Sequence, residues 1–349
     1  MQLLLVLSAS TYLLPTPPIS AVCRHSPIAC CDVGPSDVDY EFDPDIEPFP
    51  AEAFPIEEEP EPLDAAQQQI TDEPSDAAQQ RSDLKTELLA LAASCTRGES
   101  ATPSDLSAAR ALVSRLEALN PIAQPTIAPE CTGTWELVFA DTQLFRSSPF
   151  FMAGRAVCQD GDEAKRYDWF CDMHRAALAI STIGKVRQIV SKDAIVSEFE
   201  TSAGAVPFLT DFVPFASYSG GLPLQITGSI VSTASVEANM GDGWRLLMDT
   251  VEIKGSNLPG LRQALDAGLK LKSRDLGRTL EDLVPSYANP RPLFTTSYLD
   301  GSMRISRDQD GKLFVYVKMS EATSPTDYSE QPSDLGVGEL LSGMSGSLF

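Results

Sequence analysis

The chain has 349 residues, and its 49 Asp and Glu against 26 Lys and Arg give a formal net charge of −23. Most of the acidity lies outside the centre: residues 32–80 contain 16 acidic and no basic residues, and residues 321–349 contain five acidic and no basic residues. The central residues are nearly neutral. Because binding of nucleic acid normally requires a basic surface, the charge argues against that class of protein. No apolar run approaches the roughly 20 residues of a membrane-spanning helix.

The N-terminal segment, residues 1–31, is predicted to be a targeting presequence. Its apolar run from Leu3 to Leu14 contains no acidic residue and is followed by three prolines within four positions. Such a run is too short to span a membrane and is typical of a removable leader. A secretory signal, an organellar transit peptide, or the two in series are all compatible with it. A floppy N-terminus without targeting value is the alternative.

Two further segments have compositions that are typical of disordered chain. Residues 32–80 combine their acidic residues with eight prolines, so self-repulsion and missing backbone donors prevent a packed core there. Residues 320–349 are rich in Ser and Gly and are predicted to be a disordered tail. The folded domain is therefore expected at residues 82–319. Its cysteines form no CxxC pair, so a zinc site or a thioredoxin-type redox motif is not supported. No metal and no cofactor are predicted.

The domain begins with two predicted helices. Ser82–Ala93 places leucines at i, i+4 and i+7. The sequence Thr102-Pro103-Ser104-Asp105 then supplies an N-cap, a first-turn proline and an acid in the capping-box position. Asn120-Pro121 ends the second helix, because the residue before a proline disfavours helical backbone angles.

Alternating and β-branched runs dominate the rest of the domain. They predict at least seven strands, which is enough for a closed or nearly closed antiparallel barrel. Asn239–Asp242 has the composition of a hairpin loop between two of them. The predicted strand runs are Thr132–Ala140, Lys185–Ser191, Ala194–Glu200, Gln225–Ala238, Gly243–Lys254, Phe294–Ile305 and Lys312–Lys318. The fold class is therefore mainly β, with N-terminal helices and helical insertions.

Two helical insertions interrupt the strands, at Asp162–Ala179 and at Asn257–Val284. The second aligns seven leucines largely along one face and carries five basic residues among its polar positions. A lid packed across a barrel end is one interpretation. A helix that lies on a membrane surface is the other.

Several separated motifs, in order, resemble the plastid lipid-associated proteins, also called plastid fibrillins. The resemblance covers roughly residues 84–319. The motifs are Asn120-Pro121, Gly133–Phe139, Ser148–Phe151, Ile183–Ile189, Val251–Ser256 and Thr296–Arg307.

The resemblance implies a lipocalin-like barrel. Gly133 and Trp135 resemble the opening signature of lipocalins, and Arg304 resembles the late arginine that stacks over that tryptophan. This pair would close the barrel base, which is a structural role, through a cation–π contact worth about 0.5–2 kcal/mol. The inserts Tyr167–Ile180 and Asn257–Val284 are longer than ordinary lipocalin loops. The size of a cavity, and whether it is open, are therefore not predicted.

The resemblance further implies a non-enzymatic role in the binding, storage or transport of isoprenoid lipids such as quinones, tocopherols or carotenoids. The expected location is the plastid, at plastoglobules, thylakoids or the stroma, with a lipid or membrane surface as partner. Candidate residues for a cavity or its mouth are Phe139, Phe150, Phe151 and Trp244, with Trp169 as a further aromatic. Phe150 and Phe151 are adjacent, and consecutive strand residues point to opposite faces, so both cannot enter one core. Ordinary core packing is the alternative for each aromatic.

An enzymatic function has weaker support. Cys171 and His174 share a helix face, yet two further metal ligands are missing. Asp300, close to Tyr298 and two arginines, forms either a polar cluster for a ligand head group or a simple turn. No GxSxG, P-loop or dinucleotide fingerprint occurs, so no catalytic residue is predicted. The alternatives are a barrel enzyme that acts on an isoprenoid or oxylipin, and a structural coat of lipid droplets without an internal ligand.

Overall fold

The structure is a computed structural model that describes most of the predicted domain. The predicted presequence and residues 32–74 of the predicted spacer lie outside the described residues. The described residues all belong to one compact unit, Pro74–Phe349. They are residues 75–158, 160–177, 181–204, 225–258, 262–264, 270–283, 287–331 and 333.

The described residues form nine strands in one antiparallel sheet. The strand order is β4-β3-β2-β1-β9-β8-β7-β5, and pairing of β4 with β5 closes these eight strands into a barrel. The short β6 pairs with the end of β5. The predicted antiparallel barrel is therefore confirmed. The strands are β1 Gly133–Ala140, β2 Ser181–Val190, β3 Ala194–Gly204, β4 Gln225–Asn239, β5 Gly243–Lys254, β6 Lys270–Lys272, β7 Leu293–Leu299, β8 Met303–Asp308 and β9 Leu313–Ser320.

One run that was predicted to be a single strand forms two strands. The run Phe294–Ile305 divides at Asp300, whose carboxylate accepts hydrogen bonds from the backbone N–H groups of Ser302 and Met303. This turn joins β7 to β8, which pair antiparallel. The sequence prediction missed it because the β-branched and aromatic residues continue on both sides of a short Asp-Gly-Ser turn.

Five α-helices have their bounds among the described residues, and residues 262–264 are also helical. The predicted capping box of α2 is confirmed: the Thr102 hydroxyl accepts from the Asp105 N–H, and the Asp105 carboxylate accepts from the Thr102 N–H. Helix α1 begins before the predicted domain, so residues 75–80 of the predicted spacer are helical. The helices are α1 Ser75–Ser94, α2 Pro103–Ala118, α3 Pro149–Val157, α4 Asp162–Ala177 and α5 Ser273–Leu283. No described helix has both the length and the apolar character that crossing a membrane requires.

The barrel has two apolar layers. Helices α1 and α2 cover the outer face of β1 and of β7 to β9, where Leu88 and Leu116 are fully buried. The inner layer fills the barrel and includes Trp135, Trp244 and Phe314.

A bulge in β1 changes which layer its side chains enter. Leu137 pairs with Tyr316 but Phe139 pairs with Val315, so two residues of β1 oppose one residue of β9. Trp135 and Leu137 therefore point inward, whereas Phe139 packs in the outer layer under the helices. The regular alternation expected for this strand breaks at Phe139.

Two sequence predictions need correction, one about Phe150 and Phe151 and one about the second insertion. Phe150 and Phe151 lie in helix α3 and not in a strand, because Pro149 occupies its first turn. The segment Asn257–Val284 is not one helix: residues 262–264 and Ser273–Leu283 are helical, but Lys270–Lys272 form β6 between them. Residues 259–261 and 265–269 lie outside the described residues.

The first part of the predicted tail packs on the barrel. The Thr326 hydroxyl donates to Glu198, and Tyr328 is buried against β2, β3 and β4. Arg262 donates to the backbone carbonyls of Tyr328 and Gln331. The last residues of the chain, from 334, lie outside the described residues.

Candidate functional site

Arg304 projects into the inner layer beside Trp135 and is fully buried. Its guanidinium carbon is 4.4 Å from the ring centroid of Tyr316 and 5.3 Å from that of Trp135. Trp244 and Phe294 follow at 5.8 and 6.0 Å. These four aromatic side chains come from β1, β5, β7 and β9, so they enclose the cation from several sides of the barrel.

The start of β1 holds Trp135 in place. Its indole N–H donates to the Cys131 carbonyl at 2.9 Å. Gly133 precedes it with φ of 122°, and a Cβ there would lie 2.6 Å from the Ser320 carbonyl oxygen. A larger residue would therefore be strained and would collide with β9. Gly133, Trp135 and Arg304 are thus brought together at this end of the barrel.

A row of polar residues crosses the inner wall beside Trp135. Trp135 pairs with Gln188 on β2, Gln188 with Ser197 on β3, and Ser197 with Ser232 on β4. Neighbouring strands lie about 4.8 Å apart, so these side chains are close neighbours. Gln188 accepts from Arg304 Nη2 at 2.5 Å and donates to the Ser147 carbonyl at 2.9 Å. The row connects the buried cation to the segment before α3.

This inner wall is incompletely hydrogen-bonded. Among the described residues, Arg304 Nε and Nη1 and the Tyr316 hydroxyl have no hydrogen-bond partner. The hydroxyls of Ser197 and Ser232 are likewise buried and unpaired. Buried polar atoms normally have partners, so several unpaired atoms on one wall indicate a site that accepts polar groups.

The short turn Leu144–Ser147 and helix α3 pack against the inner wall at one end of the barrel. Ala153 of α3 contacts Met248 and Val251 of β5. Phe151 is nearly buried and packs at 4.5 Å from Phe145, measured between ring centroids. These contacts cover the inner layer with apolar side chains.

A buried charge network fixes the helices at this end. Arg146 pairs with Asp168 of α4 at 2.5 Å and with Asp310 of the β8–β9 loop at 3.2 Å. Arg155 of α3 pairs with the same Asp310 at 2.8 Å. Burial raises the pKa of the neighbouring Asp308, against the opposing effects of hydrogen bonding to the Lys312 N–H and of Arg146. The network ties α3 and α4 to the barrel strands.

The structure places the predicted aromatic candidates at different locations. Trp244 lies in the inner layer and is 1 % exposed, in the enclosure around Arg304. Phe150 and Phe151 lie on α3 at the covered end. Phe139 lies in the outer layer because of the bulge, away from the inner wall. Trp169 is 65 % exposed on α4.

The other polar candidates are structural. His174 packs against Phe145, Phe151 and Phe170, and burial lowers its pKa. Burial raises the pKa of the Cys171 thiol to about 11, so the thiol stays protonated at neutral pH. No group of three or more metal-ligating side chains occurs in the described part of the chain.

Asp300 forms a polar cluster outside the inner wall. Its carboxylate accepts from Lys85 of α1 at 2.7 Å and from the Tyr298 hydroxyl at 2.5 Å. Burial opposes its ionisation, but these hydrogen bonds and one from the Ser302 N–H outweigh that effect and lower the pKa to about 2. Arg307 pairs with Glu117 of α2. The cluster therefore holds the N-terminal helices on the barrel.

Sequence reasoning missed Gln188, Ser197, Ser232 and Tyr316. Their signal is alternation: each lies in a strand at a position that shares its face with inward apolar residues. A polar residue in such a position is expected to be buried. Only the pairing registers of four separate strands, however, show that these residues lie next to one another.

The first part of the domain resembles a known protein family. Residues 82–162 match the PAP_fibrillin family model. The match covers most of α1, then α2, β1 and α3, and it confirms the resemblance to plastid lipid-associated proteins for these residues. No match was found among the curated proteins or among the solved structures. The PAP_fibrillin match and the barrel are consistent with a lipid-associated function and, at a coarse level, with a plastid location.

Proposed function

We propose that this chain is a non-enzymatic plastid protein that holds a hydrophobic lipid in its barrel. The observation that carries the proposal is a closed eight-stranded barrel whose inner wall combines buried aromatic side chains with unpaired polar atoms. Barrels of eight strands are wide enough to hold one small ligand. The PAP_fibrillin match supports the lipid class, and isoprenoid lipids such as quinones, tocopherols or carotenoids are the proposed ligands.

Trp244 is the proposed ligand contact inside the barrel, and Phe150 and Phe151 are proposed to line its covered end. Trp244 stacks with Phe294 at 6.1 Å between ring centroids, and both side chains belong to the inner layer. Phe150 is only partly buried and meets Phe151 edge to face at 5.4 Å. Apolar walls with a few polar groups are typical of small-molecule sites.

A second part of the proposal concerns a lipid surface at plastoglobules or thylakoids. Helix α5 packs through Gly277, where a Cβ would collide with Asn289, whereas Leu276 and Leu283 are 48 % and 72 % exposed. This arrangement favours the surface-lying interpretation of the insertion over the lid. On α4, Trp169 and Met173 are exposed one helical turn apart.

The ligand proposal is tested by extracting the purified full chain with organic solvent and identifying lipids by mass spectrometry. We expect a lipid at near-stoichiometric amount. The matched variants are Ser232→Leu, which adds volume on the inner wall, and Thr233→Leu, its outward neighbour on β4. Only Ser232→Leu should reduce the copurified lipid, with both variants verified as folded by circular dichroism.

A chain that copurifies with no lipid and binds no hydrophobic probe would remove the carrier function and favour the coat protein. Incubation with a prenyl quinone and a carotenoid tests the enzyme alternative, because conversion to a product would show turnover. Fusion of residues 1–80 to a fluorescent protein tests the plastid location. Fluorescence outside plastids would reject it.

A further inference from the structure

The strongest unexplained feature is the uncompensated charge inside the barrel. Arg304 is 0 % exposed; it donates one hydrogen bond to the neutral Gln188 amide and also neighbours the Cys131 thiol. In the part of the chain that the structure describes, no carboxylate pairs with it. Buried charges in proteins are ordinarily paired, because an isolated ion loses its hydration without compensation.

The surrounding groups do not supply a negative charge. Burial raises the pKa of Tyr316 far above neutral pH and also raises that of the Cys131 thiol, so both stay protonated. The aromatic faces give cation–π attraction, which offsets part of the desolvation of the guanidinium but satisfies no N–H donor. Two guanidinium nitrogens, Nε and Nη1, are left without acceptors.

The unpaired atoms are complementary to a carboxylate. A guanidinium presents parallel N–H donors that match the two oxygens of a carboxylate, and such charge-assisted pairs are the strong ones. The same guanidinium lies over the Tyr316 ring, whose hydroxyl neighbours Ser147 but forms no hydrogen bond of ordinary geometry. The apolar inner layer around them suits a hydrocarbon chain.

We propose that the barrel binds an amphipathic acyl lipid whose carboxylate pairs with Arg304 and the Tyr316 hydroxyl. The inference rests on the proposed function, because it requires that a lipid enter the barrel. It extends the proposed ligand class from neutral isoprenoids to lipids with an acidic head group. Arg304 then has a binding role in addition to its packing over Trp135.

The test uses the full chain after removal of copurified lipid on a hydrophobic resin. The probes are oleic acid, methyl oleate and phylloquinone, each measured by displacement of the neutral dye Nile red. We expect oleic acid to bind about 10- to 100-fold more tightly than its methyl ester, the range of one charge-assisted hydrogen-bonded pair. Arg304→Gln should abolish that preference and leave affinity for the ester nearly unchanged.

The matched control is Arg307→Gln, which removes the same charge from the same strand on the outer face. It should retain the preference for oleic acid. Tyr316→Phe removes only a hydroxyl and should reduce the preference without loss of the fold. If Arg304→Gln does not fold, carboxyl-labelled oleate bound to the wild-type chain gives an independent readout. The bound carboxylate should remain ionised at pH values well below the ordinary carboxyl pKa of about 4.

The outcomes separate the two proposals. Equal affinity for acid and ester, or a bound carboxyl that titrates normally, would overturn the role of Arg304 while the lipid-carrier function stands. Preference for phylloquinone over oleic acid would do the same. Failure of all three probes to bind would overturn the carrier function itself.

Discussion

The two apolar layers of this barrel use similar residues for different purposes. In the outer layer, leucines of α1 and α2 meet Phe139, Met303 and Ile305, and polar groups such as Asp300 have several partners. In the inner layer, aromatic side chains surround an arginine with unpaired nitrogens. The outer layer is complete as a packed core. The inner layer combines packing with polar atoms that packing does not need, and this difference locates the candidate site.

The largest expected effect is that of Trp135→Ala in the inner layer. Truncation of a fully buried tryptophan should lower the free energy of unfolding by about 3–5 kcal/mol. It should also weaken lipid binding, because Trp135 lies over Arg304. Denaturant unfolding measures the first effect, and Trp169→Ala, at an exposed tryptophan, is the control. A loss within about 0.5 kcal/mol would show that Trp135 does not support the barrel.

Leu88→Ala tests the outer layer. Leu88 is fully buried between α1 and the barrel, so we expect the free energy of unfolding to fall by about 2–4 kcal/mol. Lipid affinity per folded molecule should not change. Loss of affinity in a variant that remains folded at the assay temperature would contradict the separation of the two layers.

Asp300→Asn removes a charge from the cluster that holds α1. The native pKa of about 2 lies below the usual unfolded value near 4. The stabilisation that ionised Asp300 contributes is therefore present above about pH 4 and is lost as the pH falls toward 2. We expect Asp300→Asn to cost about 2 kcal/mol at pH 7 and to flatten the stability profile between pH 4 and 2.

Denaturant unfolding across that pH range measures this contribution. Asp282→Asn, at an exposed position of α5, is the control and should change the stability by less than about 0.5 kcal/mol. An unchanged acid limb in Asp300→Asn would show that the cluster with Lys85 and Tyr298 does not stabilise the fold.

The smallest effect on stability is expected at the exposed leucine and tryptophan. Trp169→Ser and Leu283→Ser should each change the free energy of unfolding by less than about 0.5 kcal/mol. Flotation with phosphatidylcholine vesicles and with triacylglycerol droplets should nevertheless show weaker binding, because each variant removes exposed apolar area. Equal flotation of both variants and the wild type would show that these helices do not bind the lipid surface.

The sequence was informative where local chemistry decides the structure. The capping box at Thr102 and the alternating strands predicted α2 and the barrel, because both signals act over a few residues. The position of Phe139 depends on a bulge against β9, and the polar row depends on the register of β1 to β4. Such pairings join residues far apart in the chain, so no local pattern contains them. The helix predicted near Leu271 was wrong for the same reason, since pairing with β5 overrides the helical periodicity of the sequence.

The bulge in β1 decides which layer receives Phe139. In a strand of the same length without the bulge, alternation would continue past Val138, so Phe139 would turn from the helices toward the aromatic enclosure of Arg304. That change would leave a gap beneath the helices and crowd the barrel interior. Deletion of Val138 would instead keep Phe139 under the helices, because Phe139 would then directly follow the inward-facing Leu137. The pairing register between β1 and β9 thus assigns side chains to both layers at once.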